Sequence, residues 1–231
     1  VSMYGRKIDL PFILRTPMGG FRGYGPTHSQ SIEKHFLGIP GLRVVALNQL
    51  LDPKLVFTEI VKNKQPVLLV ENKVLYTKKL FENTIPGYSI ELCEQNESLP
   101  VVRMTPDEGT SKLTIICYGG IVNECLLAMR ELLFHHELLI DLFVPSEISN
   151  HEIPFLQESI NETKQLCIIE EGSSFASYSS EVIAHLNELG SYDLKTLRLS
   201  NNYIVPSGRE LEKEVLPNVK SITKSIMDFI I

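Results

Sequence analysis

The sequence predicts an α/β protein in which helices cover mainly parallel sheets. Short, nearly continuous apolar runs alternate with segments of helical periodicity along most of the 231 residues. Such runs are typical of strands that are buried on both faces of a parallel sheet. The alternation weakens between residues 76 and 112, where Pro86-Gly87, Pro100 and Pro106 interrupt it. We therefore expect two α/β units joined by a connector.

The leading unit is predicted to contain three strands, at residues 11–14, 43–47 and 67–70. Asp52 and Pro53 supply an N-cap and a first-turn proline for a helix between the second and third strands. Three strands and two helices do not readily close a two-faced sheet, and a strand edge would stay unpaired. We therefore expect residues 1–75 to be the trailing half of a larger domain.

The second unit, residues 113–231, shows the regular alternation of a complete small α/β domain. Four strands are predicted at residues 113–118, 138–143, 166–169 and 196–199. Helical patterns are found at residues 121–134, 151–162, 181–189 and 218–229. Together they predict one parallel sheet flanked by helices.

Composition restricts the classes of function. The formal net charge of −6 argues against a nucleic-acid partner, because phosphate binding needs a basic surface. No apolar run reaches the roughly 18 residues needed to cross a membrane. The chain has no Cys-x-x-Cys pair, so neither a zinc site nor a redox dithiol is indicated; its four cysteines are Cys93, Cys117, Cys125 and Cys167. A cytoplasmic protein with reduced thiols is expected.

The run from Gly25 to Glu33 is the most informative local feature. Ser29 can cap a helix over residues 29–37 that Gly38 ends, which would place His28 at the positive end of that helix. Such a position suits a group that handles an anionic substrate and moves a proton. The alternative is a histidine that only hydrogen-bonds within its loop. The other histidines are interpreted as structural or surface residues: His35, His135, His136, His151 and His185.

Five spaced segments in one order carry a resemblance to a known family. They are Arg15-Thr16-Pro17-Met18-Gly19-Gly20, His28-Ser29-Gln30-Ser31, Ile39-Pro40-Gly41-Leu42-Arg43-Val44-Val45, Pro66-Val67-Leu68-Leu69-Val70-Glu71-Asn72 and Leu75-Tyr76. The chain resembles the β subunit of thiamine-diphosphate-dependent 2-oxo acid dehydrogenases, within the transketolase-like superfamily. The Gly-Pro-Thr-His run also resembles transketolase, but the following Ser29-Gln30-Ser31 favours the dehydrogenase branch.

The resemblance implies a domain assignment and a reaction. Residues 1–75 match the trailing part of a pyrimidine-binding domain, 76–112 a connector, and 113–231 a transketolase C-terminal-like domain. The reaction is oxidative decarboxylation of a 2-oxo acid, pyruvate or a branched-chain acid such as 2-oxoisovalerate, with acyl transfer to lipoamide. The family's cofactor-activating glutamate and stacking aromatic lie upstream of the region that Val1 matches. Thiamine diphosphate and Mg²⁺ are therefore expected in the complete enzyme, and the isolated fragment is expected to be inactive.

The resemblance also assigns residues and partners. His28 matches a histidine that lines the substrate pocket and takes part in proton transfer and acylation of the lipoyl group. Ile60, Asn63 and Gln65 match a potassium site, although Asn63 stands where aspartate is common. The implied partners are an α-type subunit or domain, a second β copy bound through the C-terminal domain, and a lipoyl-bearing acyltransferase.

Two alternatives stay open. Residues 172–175 and 201–206 depart from the family's glycine-rich and proline-rich turns. This departure favours a non-catalytic module that keeps the fold and serves assembly or docking. A transketolase-type enzyme part is the second alternative.

Overall fold

A computed structural model describes residues 2–3, 6–7, 9–80, 85–94, 98–190 and 193–230, and it contains two principal sheets. A short antiparallel pair, β1 (Ser2–Met3) and β2 (Arg6–Lys7), precedes them. The first principal sheet has three parallel strands in the order β3-β5-β4. Its strands are β3 (Ile13–Met18), β4 (Arg43–Ala46) and β5 (Val67–Asn72). The strands predicted at residues 43–47 and 67–70 are confirmed, whereas the strand predicted at 11–14 lies at Ile13–Met18 and extends into the segment predicted as loop.

Helix α1 (Pro53–Asn63) connects β4 to β5. Its first turn begins as the sequence predicts, because the Asp52 carboxylate accepts a hydrogen bond from the Lys54 N–H at 2.8 Å. Val56 and Ile60 bury the inner face of the helix against the sheet. Lys64 ends it in the left-handed conformation, with φ of 48°.

The second principal sheet has six strands in the order β11-β10-β8-β9-β7-β6. Four of them are parallel: β8 (Leu113–Cys117), β9 (Ile140–Val144), β10 (Gln165–Ile169) and β11 (Lys195–Leu199). The helices of this unit are α2 (Val122–His136), α3 (Leu156–Thr163), α4 (Tyr178–Glu188), α5 (Arg209–Val215) and α6 (Val219–Ile230). The predicted α/β class with a parallel sheet is confirmed.

The segment predicted as a connector contains a hairpin. Strands β6 (Tyr88–Cys93) and β7 (Val101–Pro106) pair with each other in antiparallel fashion, and β7 pairs with β9. The interruptions at Pro86-Gly87, Pro100 and Pro106 hide this hairpin in the sequence. Most of β6 is exposed, so its apolar pattern is faint. The boundaries at residues 75 and 112 stay a prediction.

The two sheets are joined along β4. The Ala46 N–H donates to the Ser146 carbonyl at 2.7 Å, and the Ile148 N–H donates to the Val44 carbonyl at 2.9 Å. The segment after β9 therefore covers the outer edge of β4. By contrast, β3 pairs with β5 alone among the described residues, and Leu10, Phe12 and Leu14 beside that edge are exposed.

Within the described ranges, no helix combines the length and apolar character needed to cross a membrane.

Candidate functional site

His28 lies on an irregular loop, residues 19–31, that follows the carboxyl end of β3. The predicted helix over residues 29–37 is wrong: a turn brings the N–H groups of His28 and Ser29 to the Gly25 carbonyl, at 3.2 and 2.9 Å. Only a short 3-10 helix, Glu33–His35, follows it, and Ser29 does not cap it. The buried Ser29 hydroxyl instead donates to Glu212, so a tertiary contact replaces the expected cap. His28 therefore does not sit at a helix N-terminus.

The His28 side chain is exposed, while its backbone is held in place. The Lys73 amine donates to the His28 carbonyl and lies 5.1 Å from the centre of the Tyr24 ring. The Arg22 guanidinium donates to the Lys73 carbonyl at 2.8 Å. The loop is thus tied to the residue that follows β5, and the imidazole is presented to solvent.

Two buried carboxylates of the second unit fasten this loop from behind. Glu171, directly after β10, accepts the Gly20 N–H at 2.5 Å and the Asn72 side-chain amide at 2.6 Å. Glu212, on α5, accepts the Gly23 N–H at 2.8 Å and the Ser29 hydroxyl. Both carboxylates come from elements remote in sequence, and neither was predicted as a site residue. Glycine is required at position 23, because its φ is +78° and a Cβ there would lie 2.9 Å from the Arg209 backbone nitrogen.

A second carboxylate pair lies behind the first. The Tyr118 hydroxyl lies 2.9 Å from Glu33 Oε1 and 3.2 Å from Glu170 Oε2, and the Ser179 hydroxyl donates to Glu170. Glu33 Oε2 is buried and has no hydrogen-bond partner among the described residues. Burial raises the pKa of Glu33 and of Glu171 to about 7, and it also raises the pKa of Glu170. A proton held on Glu33 is consistent with its unpaired oxygen.

These raised pKa values predict a pH-dependent stability. The folded chain binds the protons of Glu33 and Glu171 more tightly than the unfolded chain does, since the unfolded pKa is 4.5. Their contribution to the free energy of unfolding is therefore greatest below pH 4.5 and declines as the pH rises to about 7. Glu33→Gln removes one of these protons while keeping an oxygen for Tyr118. Relative to the wild type, we expect this variant to gain about 2–3 kcal/mol between pH 5 and pH 8 in urea unfolding.

The partly exposed carboxylate of Glu59 provides the matched control. Glu59→Gln should leave the pH profile of stability unchanged. If Glu33→Gln and the wild type keep a constant difference in stability from pH 5 to pH 8, Glu33 does not hold a proton near neutrality.

The proposed potassium ligands cluster at the end of α1. Ile60 is buried in the helix, Asn63 is its last residue, and Gln65 is half-buried in the turn before β5. The last carbonyls of a helix lack partners within it, so such a turn can offer oxygen atoms to a cation. The Lys64 carbonyl is already occupied by the Leu10 N–H at 3.0 Å. The ion site stays a prediction.

The remaining histidines are either exposed or packed against one another. His35, His135 and His136 are exposed, and the rings of His151 and His185 pack 4.4 Å apart between centroids. In the described part of the chain, no group of three or more histidine, cysteine, aspartate or glutamate side chains could hold a metal ion.

A cavity of about 280 Å³ opens at the carboxyl ends of the three-stranded sheet. On its wall, Arg15 Nε lies 2.6 Å from Glu71 Oε1, and the Tyr76 hydroxyl donates to Glu71 at 2.7 Å. Ligands in open α/β sheets commonly bind at this end of the strands. His28 is not part of this wall, so the cavity and the imidazole are separate features.

The profile of one protein family matches more than half of the chain. The family is described as "Transketolase, C-terminal domain", and the match covers residues 103–222. The chain belongs to this family. The matched region contains the parallel strands β8 to β11 and both loop-fastening carboxylates. The predicted resemblance to the transketolase-like superfamily is confirmed.

Two curated proteins that are similar in sequence to this chain are subunits of the same type. It is 27% identical over 217 residues to the pyruvate dehydrogenase E1 component subunit beta of Cyanidium caldarium, covering 92% of this chain and 62% of that protein. It is 29% identical over 236 residues to the same subunit of Porphyra purpurea, covering 96% of this chain and 66% of that protein. The chain thus spans less than two thirds of the length of these relatives.

A solved structure shows the same fold. A chain described as "Split gene transketolase, inactive beta4 tetramer" superposes with a TM-score of 0.68 at 14% identity. The match covers 94% of this chain and 66% of that one. At this identity the similarity concerns the fold alone.

Proposed function

We propose that the chain is the β-type portion of a thiamine-diphosphate-dependent 2-oxo acid dehydrogenase. The complete assembly would decarboxylate a 2-oxo acid and transfer the acyl group to lipoamide on a carrier protein. The observation that carries this proposal is the exposed His28 imidazole on a fastened loop, in a chain similar along 92% of its length to a pyruvate dehydrogenase β subunit. Residues 1–75 would serve as part of the pyrimidine-binding domain and 113–231 as the C-terminal domain.

Four buried carboxylates near the His28 loop do not fit the role of activating the cofactor. Glu33, Glu170, Glu171 and Glu212 are buried behind the loop, where they bind protein donors. We therefore assign none of these four carboxylates to the cofactor, and we propose that the activating acid belongs to another part of the assembly. When bound, thiamine diphosphate supplies stabilisation of the carbanion formed on decarboxylation. Mg²⁺ would accompany it, and K⁺ would occupy the turn after α1.

His28 has the properties of a proton-transfer group for this reaction. An imidazole has one nitrogen that can donate a proton to a developing alkoxide and can also accept a proton back from it. The fastened backbone fixes the point from which the ring reaches outward. An α-type subunit or domain, a second β copy and a lipoyl-bearing acyltransferase would complete the surroundings of the ring.

Activity assays of the chain alone, of the complete set of components, and of the other components without this chain test the proposal. We expect the 231-residue chain alone to give no turnover of pyruvate or branched-chain 2-oxo acids with an artificial electron acceptor. Adding the α-type partner and the upstream part of the β subunit should produce turnover that depends on this chain. Turnover by the chain alone, or full turnover by the other components without it, would contradict the proposal.

The second candidate is a non-catalytic assembly module, favoured by an exposed apolar patch. Phe175, Tyr203 and Ile204 are 84%, 75% and 80% exposed, on the two loops that depart from the family pattern. The Ser174 N–H donates to the Asn202 side chain at 3.1 Å and thereby links these loops. This module would bind its partners as tightly when His28 is replaced by alanine, and the complex would have no 2-oxo acid activity to lose.

A further inference from the structure

We infer that Glu171 and Glu212 are positioning residues, through which the second unit holds the His28 loop in its working conformation. This inference rests on the role proposed for His28. It concerns two side chains that touch the loop backbone rather than a substrate.

Glu212 closes the base of the turn that carries His28. One carboxylate oxygen accepts the Gly23 N–H at 2.8 Å, and the other accepts the Ser29 hydroxyl. Gly23 and Ser29 lie on opposite sides of the turn, so a single carboxylate fixes the distance between its two ends. Glu212 and Ser29 are 0% and 1% exposed, which keeps water from competing for these bonds.

Glu171 fixes the start of the loop to the end of β5. It accepts the Gly20 N–H and the Asn72 side-chain amide. The orientation of that amide is set, because Asn72 Oδ1 accepts the Val74 N–H at 3.0 Å. The next residue, Lys73, donates to the His28 carbonyl. A continuous series of contacts therefore connects Glu171 to the backbone of His28.

The free-energy cost of burying Glu171 and Glu212 supports a positioning role. Burying a carboxylate is unfavourable unless hydrogen bonds compensate, and burial raises the pKa of Glu171 to about 7. Lys73 is a cation near both Glu171 and Glu212, and Arg22 lies near Lys73; Glu33 is a further carboxylate near Glu171. An apolar contact would hold the two units together without this cost. What the carboxylates add is a fixed geometry for two backbone N–H groups of a loop that has no regular secondary structure.

Hydrogen exchange in the 231-residue chain tests whether Glu212 restrains the His28 loop, and it does so without reference to activity. Glu212→Gln keeps the side-chain size, but its NH₂ group cannot accept a hydrogen bond, so one of the two donors loses its partner. We expect amide exchange in residues 19–31 to become on the order of tenfold faster. Glu210→Gln, an exposed position on the same helix, should leave this exchange unchanged. Unchanged exchange in Glu212→Gln would overturn the inference.

Acyl transfer in the complete complex tests the positioning role. We expect Glu212→Gln to lower kcat on the order of tenfold to a hundredfold, with the KM for the 2-oxo acid nearly unchanged. In a His28→Ala background it should cause no further loss, because there is then no imidazole to position. An equal loss in both backgrounds would overturn the inference. Where Glu212→Gln is too unstable to assay, Ser29→Ala removes one donor to the same carboxylate and serves the same comparison.

The two proposals fail in different ways. If His28→Ala leaves acyl transfer unchanged, the proposed function fails, and the exchange experiment still decides whether Glu212 fastens the loop. If His28→Ala abolishes acyl transfer while Glu212→Gln changes neither exchange nor kcat, the positioning role fails alone.

Discussion

Replacing His28 with alanine in the complete complex is expected to lower acyl transfer to lipoamide by about 10²- to 10⁴-fold. This is the range that positioned acid–base groups contribute to enzymatic rates. The stability of the chain should change little, because the ring is exposed and none of the hydrogen bonds described for this residue involves its side chain. Steady-state rates with free lipoamide, together with urea unfolding of the same preparations, measure both quantities.

His35→Ala provides the matched control for this variant. His35 is also exposed and lies only seven positions away, in the 3-10 helix. It should retain full acyl transfer. Equal rates for the wild type and His28→Ala would remove His28 from the mechanism, and equal losses in both variants would show a general disturbance of the loop.

Removing the Glu147 carboxylate is expected to lower the free energy of unfolding by about 3–5 kcal/mol, because it leaves the Arg43 guanidinium buried without its charge partner. The two side chains are 6% and 8% exposed and meet through two hydrogen bonds of 2.9 and 2.5 Å. The Leu99 N–H also donates to Glu147, at 3.3 Å. This ion pair connects β4 of the first sheet to the segment after β9. Urea unfolding of Glu147→Ala measures the loss.

Two variants control this measurement. Glu59→Ala breaks an exposed ion pair with Lys62 and should cost about 0.5 kcal/mol or less. The double replacement of Arg43 and Glu147 by methionine should recover most of the stability, since both charges leave the interior together. A loss below about 1 kcal/mol for Glu147→Ala would show that the pair does not hold the two sheets together.

Local chemistry in the sequence was sufficient to predict much of the fold. The strands at Val67–Asn72 and Leu113–Cys117 contain nearly continuous apolar runs, and both form buried parallel strands. The Asp52-Pro53 pair starts α1 where capping chemistry predicts it. These features depend on neighbouring residues or on burial of a whole run, which the sequence displays directly.

The errors arise where a distant contact overrides a local preference. Ser29 has the chemistry of an N-cap, but its hydroxyl binds Glu212, which lies 183 positions away. Helix α5 was missed because it is short and mostly polar; the Glu210–Lys213 pair, at 2.8 Å, was the available signal. Glu171 holds the loop through the Gly20 N–H, which lies 151 positions away in the sequence. A contact between residues so far apart cannot be predicted from a local sequence pattern.

Calorimetric titration of thiamine diphosphate with Mg²⁺ is the most direct test of the claim that this chain supplies the His28 loop but not the cofactor-activating half of the site. We expect no measurable heat of binding to the 231-residue chain alone, and saturable binding once the α-type partner and the upstream part of the β subunit are present. Tight, stoichiometric binding by the isolated chain would contradict the claim.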